Sequence, residues 1–408
     1  MPVPGSELRE RIRALPGMDR LLPALDGLPP VFLVGGAVRD LMLGGSSPDL
    51  DVAVESDVRP VARALADRLG ARIVEHERFG TATVKTDDLT VDLAQTRTET
   101  YPTPGALPVV APAALTDDLR RRDFTVNAMA VALTGDELGH LHDPFDGRGD
   151  LQRRLVRVLH EDSFLDDPTR LLRAVRYESR LGFQMDPETE RLAREAVRIG
   201  ALRTVSGQRI RDELLDLLAQ AEARPAIERL RELGIDKGLD PALDPDVTLA
   251  DSAALAAGEV GADRVLAVLA AMVLRSPDAL VPWLEQLGVT REQRERVASA
   301  ARDAPALAEG LKGVELSPSA IQALLHDEPF EALALALALG APPEPILDWS
   351  RRLRFVRLDI SGDDLIAAGV EPGPALGRAL TETLRAKLDG EVEGRDAELR
   401  YALRAASS

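Results

Sequence analysis

Cysteine is absent from this 408-residue chain, which rules out disulfides, zinc–thiolate centres and thiol catalysis. Lysine is nearly absent: it supplies four of the fifty basic residues, at 85, 237, 312 and 387. Arginine therefore carries almost all the positive charge, and its planar fork suits bidentate binding of phosphates and base edges. A GC-rich coding bias accounts for the same preference at least as well. No run of about eighteen apolar residues occurs, and the opening MPVPGSELRE lacks a basic start followed by an apolar stretch. These absences predict a soluble, cytoplasmic chain with no membrane association. Positive charge is also short overall. The formal net charge is −18, which argues against a broadly basic nucleic-acid coat. In blocks of fifty, only 151–200 holds more Lys+Arg (10) than Asp+Glu (9), a local excess that suits a groove.

Hydrophobic residues make up 45% of the chain, enough to bury two to four compact cores at this length. Apolar, β-rich segments at 31–34, 50–54, 72–74, 81–85 and 89–94, with a helical pattern at 57–69, predict a mixed α/β unit over the first 150 residues. Residues 101–112, with four prolines and a glycine, predict a loop. From 151 onward the pattern is helical, with examples at 168–181, 186–198, 206–220, 223–233, 262–274 and 317–325. The expected fold class is α+β: an α/β head with a mixed sheet, then an all-α remainder.

The segment VFLVGGAVRDLMLGGSSPDLDVAVE concentrates the chemistry. A strand runs into Gly35-Gly36 and a short helix, where backbone N–H groups approach an anion closely, with Arg39 one turn in. On the next strand Asp49 and Asp51 alternate with Leu50 and Val52, so both carboxylates project from one face. Two carboxylates that close are held ionised by divalent cations, the arrangement two-metal phosphoryl transfer requires. Asp-x-Asp also arises by chance in so acidic a chain; Asp244-Pro245-Asp246 is such a case, with a proline between its aspartates and no glycine turn directly before it. Asp92, in TVDLA, is the best candidate for a third carboxylate, though an exposed strand aspartate reads equally well.

Two arginine clusters follow. In RRRDFTVNAMA, Arg122 is placed to clamp phosphates with Asp123 orienting it, although such a cluster is usually a solvated helix end. In DDPTRLLRAVR, residues 167, 170, 173 and 176 are three apart on a helix and form a slowly drifting stripe. An N-cap followed by a solvated basic face explains that spacing in part. The functional reading explains more. A carboxylate at Asp167 accepts from the exocyclic amino group of cytosine or adenine, while Arg170 donates to neighbouring ring acceptors. Uracil and guanine present a carbonyl oxygen there and are rejected.

These motifs resemble the class II CCA-adding enzymes, the tRNA nucleotidyltransferases related to bacterial poly(A) polymerases. LVGGAVRDLMLG with PDLD resembles the catalytic motif and RRDFTVNAMA the second motif. DPFDGRGDL (143–151) resembles the head–neck hinge, DDPTRLLRAVRYESRLGF the base-reading motif, and VSGQRIRDEL (205–214) the neck helix. Together they cover about residues 31–214. The resemblance implies a nucleotidyltransferase head at 1–150, a base-reading neck at 151–220, a body at 221–310 and a tRNA-binding tail at 311–408. It implies template-independent addition of C and A from CTP and ATP to the tRNA 3′ end, with Mg2+ on Asp49 and Asp51. Gly35, Gly36, Arg39, Arg122, Asp167, Arg170, Arg173 and Arg176 then line the nucleotide. The base-reading motif opens Asp166-Asp167 rather than Glu-Asp, which leaves the base-contacting pair intact. In place of the Asp-x-Arg-Arg-Pro-like stretch of full CCA-adding members stands TRTETYPTPGALPVV, closer to A-adding members, so addition of the terminal A alone is a live reading.

Competing readings are a poly(A) polymerase acting on general RNA, a catalytically silent tRNA-binding relative, and a small-molecule nucleotidyltransferase. The acidity favours tRNA over the first, the intact aspartates and Arg170 oppose the second, and the long helical part opposes the third. His326-Asp327 suggests a metal-dependent phosphohydrolase domain only superficially, because the other histidines (76, 140, 142, 160) lie in or near the head. Oligomeric state is not legible.

Overall fold

The structure is a computed structural model that describes residues 5–45, 49–76, 80–313 and 315–407, with the side chains of Ser6, Asp49 and His76 outside the description. It comprises two compact units, 1–213 with 232–238, and 214–231 with 239–408. The expected head and most of the expected neck thus fall in one unit, and the expected body, except 232–238, and tail in the other.

The first unit is built on a mixed sheet. Its strands in chain order are β1 (Val31–Val34), β2 (Asp49–Val54), β3 (Arg72–His76), β4 (Thr81–Lys85), β5 (Thr90–Gln95), β8 (Ala130–Ala132) and β9 (Leu141–His142). Their spatial order is β3-β4-β5-β2-β1-β8-β9. Only β2 and β5 run parallel; β3–β4, β4–β5, β1–β2, β1–β8 and β8–β9 are antiparallel. All four residues of β1 are buried, as expected for a central strand covered on both faces. On β4 and β5, by contrast, Ala82, Val84, Val91 and Leu93 face inward while Asp92 faces out. The inward face is covered by helix Val58–Leu69, whose first turn Asp57 caps by accepting from the Arg59 amide at 3.1 Å. The opposite face of β2, β4 and β5 carries Asp51, Thr81, Thr83 and Asp92 beside the small Ala53 and Ala94.

The segment expected as a loop at 101–112 ends in a strand, 109–112, and connects it to another that precedes the segment. Strands β6 (Arg97–Thr100) and β7 (Val109–Pro112) form an antiparallel hairpin, with Arg97 opposite Pro112 and Thr100 opposite Val109. The prolines sit in the connection and at the strand end, where no ladder donor is needed; that is why their density read as a loop.

In the DPFDGRGDL stretch the chain is locked rather than merely bent. Asp143 accepts from the Gly147 and Arg148 amides at 2.7 and 2.9 Å. A Cβ on Gly147 would lie 2.2 Å from the Thr125 carbonyl oxygen, so only glycine fits. Buried Asp150 takes the Thr125 hydroxyl at 2.7 Å and pairs with Arg153 and Arg157.

The second unit is helical throughout. Its centre packs Val247–Val260, Arg264–Val273, Arg291–Gly310 and Phe330–Ala338, and buried alanines such as Ala253, Ala257, Ala267, Ala300 and Ala334 let the helices approach closely. Asp246, half of the chance Asp-x-Asp, caps the first of these helices by accepting from the Leu249 amide at 3.0 Å. Glu331 is wholly buried, accepts from the Asp263 amide at 3.0 Å and pairs with Arg296. Removing that arginine leaves an uncompensated buried carboxylate, so Arg296→Ala is expected to destabilise this unit by about 3 kcal/mol. Denaturant melts followed by circular dichroism measure this; a loss below about 1 kcal/mol contradicts the buried pairing.

Candidate active site

A cleft of about 660 Å3 in the first unit is lined by the glycine turn, β2, the 120–127 segment, the hairpin and the arginine helix. Gly35 lies at φ 70° and ψ −132°, a backbone region that side chains avoid. A Cβ there would stand 2.7 Å from Arg122 Nη1. The backbone conformation favours glycine where the turn faces the cleft, and any added side chain would push the Arg122 guanidinium aside. Gly35→Ala is expected to cost about 1–3 kcal/mol and to displace Arg122, observed as a lower melting temperature with a raised KM for nucleotide.

Asp51 stands in direct register with Asp92 across the parallel β2–β5 pair, so the two point to the same side of the sheet. Asp92 also accepts from the Thr83 hydroxyl at 2.6 Å, across from it on β4. A second cavity, lined by Asp51, Thr81, Thr83 and Asp92, adjoins the first through Asp51, Arg121 and Arg122. Asp49 opens β2 opposite Thr90, and its side chain lies outside the described residues. Among the described residues no group of three or more carboxylates or histidines gathers as a cation site. Asp51 and Asp92 are the two carboxylates of the expected set that the described residues place on one face.

The arginines expected at the nucleotide divide into two kinds. Arg122 lies in both cavities, pairs with Asp118 at 3.0 Å, and has a buried Nε with no acceptor. Its orienting carboxylate is therefore Asp118 and not Asp123, correcting the sequence expectation. Burial pushes the Asp118 carboxyl up, but Arg122 and Arg121 hold it below the usual range. Arg39, Arg173 and Arg176 are instead wired into the protein. Arg39 is 2% exposed, donates to Asn127 Oδ1 at 2.6 Å and to Asp40 at 2.8 Å, and lies 5.2 Å from the Tyr177 ring centroid. Asn127 donates to Asp123 at 2.9 Å. Asp123 in turn accepts from Arg173 Nε and Nη2 at 2.9 and 2.6 Å. Arg173 and Arg176 both pair with Glu213, at 2.8 and 3.0 Å. Arg176 sits beyond Arg173 and is not among the residues lining the cleft. A continuous chain of polar contacts therefore runs from the glycine-turn helix Gly36–Met42 through the 123–127 segment and helix Arg170–Leu181 to helix Gly207–Leu218. Tyr177 lies within 6 Å of Arg39, Arg173 and Arg176.

Asp167 precedes the arginine helix, which starts at Arg170 rather than 168. One carboxylate oxygen accepts from the Thr169 amide and hydroxyl at 3.1 and 2.6 Å; the other pairs with Arg209 at 2.7 Å. An ionised carboxylate has about four acceptor positions, so one remains beyond these three contacts. Arg170 donates to the Ser163 hydroxyl at 2.7 Å and the Arg121 carbonyl at 2.8 Å, which uses part of a five-donor guanidinium. Asp167 and Arg170 both line the cleft.

Residues not singled out from the sequence complete the walls: Asn127, Tyr177, Arg121, Arg209 and Glu213, with Glu99 and Tyr101 from the hairpin. Burial and the neighbouring Glu99, whose carboxylate takes the Tyr101 hydroxyl at 2.9 Å, push the Tyr101 phenol above its ordinary range. Asn127, Tyr177, Arg209 and Glu213 all lie within quoted motifs, so the motif boundaries held the signal; partnership across elements did not show.

Residues 31–157 match the family model described as the poly A polymerase head domain, and 182–247 match the one described as the probable RNA and SrmB-binding site of polymerase A. An A-adding tRNA nucleotidyltransferase of Halalkalibacterium halodurans is 31% identical over 91% of this chain and 88% of its own. The chain belongs to the tRNA nucleotidyltransferase family. Another member, the A-adding enzyme of Geobacter sulfurreducens, is 36% identical over 93% of this chain, which spans 45% of that relative's length. Among solved structures, a CCA-adding enzyme in complex with CTP superposes with a TM-score of 0.83 at 28% identity, covering 100% of both chains. That likeness carries the expected α+β class, with a mixed-sheet head and a helical remainder. Among the described residues no helix is long and apolar enough to cross a membrane.

Proposed function

We propose that this chain transfers nucleotides from CTP and ATP to the 3′ end of tRNA without a nucleic-acid template, the terminal A at least. One observation carries the reading: a single cleft brings Asp51 and the Gly35–Gly36 turn together with Asp167 and Arg170. The first pair suits the reacting triphosphate and the second suits its base. Asp49 and Asp51, with Asp92 alongside, would hold Mg2+, a hard cation suited to an all-oxygen donor set. When bound it would neutralise triphosphate charge and sharpen the primer hydroxyl as a nucleophile.

The chain's own residues do the rest. Gly35 lets the backbone come close without a side chain between. Arg122, held by Asp118 and with an unused buried donor, is aimed at phosphate oxygens. Asp167 has one acceptor position for the exocyclic amino group of C or A, and Arg170 has donors for adjoining ring acceptors. A uracil or guanine carbonyl facing Asp167 leaves both groups unpaired and is rejected. Arg173 and Arg176 act as positioning residues through Asp123 and Glu213. The A-adding relatives and the variant 101–112 segment, part of which lines the cleft, support the A step over the CC steps.

The test is primer extension with magnesium on three tRNA transcripts, ending before CCA, after C and after CC, each given CTP, ATP or both. Addition of one A to the CC-ended transcript alone establishes the A-adding reading. Completion of all three establishes full CCA addition. Equal extension of an unrelated RNA favours the poly(A) polymerase alternative, and no incorporation anywhere overturns the proposal in favour of the silent relative.

A further inference from the structure

Aromatic side chains number thirteen in 408 residues, yet three surround one guanidinium in the second unit. Arg354 Cζ lies 4.6 Å from the Phe330 ring centroid, 4.8 Å from Phe355 and 5.7 Å from Trp349. Phe330 and Trp349 pack 5.8 Å apart, and Trp349 is fixed by donating to Gln322 at 2.8 Å. Leu353, fully buried, roots the short turn Leu353–Phe355, whereas Phe355 is 61% exposed. Arg354 is thus held by stacking, and among the described residues its N–H donors have no hydrogen-bond or ion-pair partner.

The surrounding sequence is equally unusual. RRLRFVR, 351–357, places four arginines in seven residues with no carboxylate, and no other seven-residue window of this acidic chain does so. Arg357 donates to the carbonyl oxygens of Arg354 and Val356 at 2.7 and 2.8 Å, and has no carboxylate partner among the described residues. Arg351 and Arg352 pair with Glu259 and Asp348, but both guanidiniums are at least 60% exposed. Such surface pairs contribute little and exchange readily for another anion.

A guanidinium stacked in place, unpaired and flanked by further arginines is pre-organised for a phosphate, and an exposed ring beside it offers a stacking face. We propose that 351–357 is an RNA-backbone contact in the second unit. Arg354 and Arg357 take phosphate oxygens, and Phe355 takes a ribose or an unpaired base. The proposal deepens the functional reading above and rests on it, since tRNA is the polyanion that reading supplies. It also answers how a chain of net charge −18 attracts RNA there: by a local arginine run rather than by bulk charge.

The test uses the full chain and a labelled tRNA transcript ending in CC, with Kd followed by fluorescence anisotropy across a potassium chloride series. Substituting Arg354→Ala and Arg357→Ala together is expected to raise Kd roughly tenfold and to lower the salt slope by about two. Phe355→Ala, an exposed change that spares the stacked arginine's other rings, is expected to raise Kd about fivefold with the slope unchanged. In steady-state incorporation the KM for tRNA rises by the same factors while kcat holds. Variants that bind tRNA with wild-type Kd and slope overturn this inference alone, provided the unsubstituted chain binds. An unsubstituted chain that binds no tRNA overturns the functional reading with it. Because Arg357 and Phe355 are exposed, their single variants decide the matter even where the loss of Arg354 disturbs packing.

Discussion

Asp51→Asn is expected to cut nucleotide incorporation by at least about a thousandfold, several kcal/mol of transition-state stabilisation. Its thermal unfolding should stay within about 2 °C of the parent chain. The two halves follow from one geometry. Asp51 is exposed on the polar face of β2, so the core loses nothing. It stands in register with Asp92 on the neighbouring parallel strand, and like charges that close repel in a cation-free chain. Removing one charge relieves that repulsion, and at an exposed position the net change in stability is expected to be small. That charge is also what a cation requires, so catalysis and stability should move apart. Single-turnover extension of the CC-ended transcript with saturating ATP measures the first, and calorimetry the second. Asp244→Asn, from the other Asp-x-Asp, is the matching control: Asp244 pairs with Arg231 and Arg275 and should leave incorporation unaltered. Retention of more than about a tenth of the rate by Asp51→Asn would remove Asp51 from the proposed chemistry.

Much of the sheet was legible because alternation and glycine punctuation are local signals. The segments expected at 31–34 and 81–85 match β1 and β4 to the residue, and those at 50–54 and 89–94 shift by a single residue. The hairpin at 97–112 was not legible, since proline density hides a strand whose ladder donors come from the other side. Nor was β8: AVA lies inside a continuous apolar run that alternation cannot mark, and only its place beside β1 makes it a strand. In the site, the sequence singled out Arg39, Arg122, Arg170 and Arg173, all of which line the cleft, but not what each one meets. Arg39, Arg122 and Arg173 read alike as cations near phosphate, and Arg170 as a donor to the base. The fold separates Arg122 from Arg173 by their carboxylates, Asp118 four residues before the one and Asp123 fifty residues before the other. A pairing across fifty residues leaves no period in a single sequence.

Asp123→Asn should expose the most about that wiring. Asp123 is buried, and its two oxygens accept from Arg173 twice, from Asn127 and from the Phe124 amide. Burial alone pushes its carboxyl up, but Arg173 and the hydrogen bonds outweigh that and hold it below the ordinary aspartate range. Asparagine keeps the volume, removes the charge and turns N–H toward Arg173. The expected loss is about 3 kcal/mol at pH 7, a fall of roughly 6–12 °C for a unit of this size. Because the folded carboxyl ionises at lower pH than the unfolded one, its contribution is complete above the unfolded value, near pH 4. It is lost as pH falls through the folded value. The melting curves of parent and variant should thus run parallel from pH 7 to about 5 and converge below about 4. Incorporation should fall as well, chiefly through kcat, since Arg39 and Asn127 lose the anchor that places them beside Gly35. Arg173→Lys tests the geometry separately: it keeps the charge but not the two-pronged contact, and should recover only part of the stability. A stability gap that persists undiminished to pH 3, or is missing at pH 7, would mean that Asp123 is not the charged centre of this network.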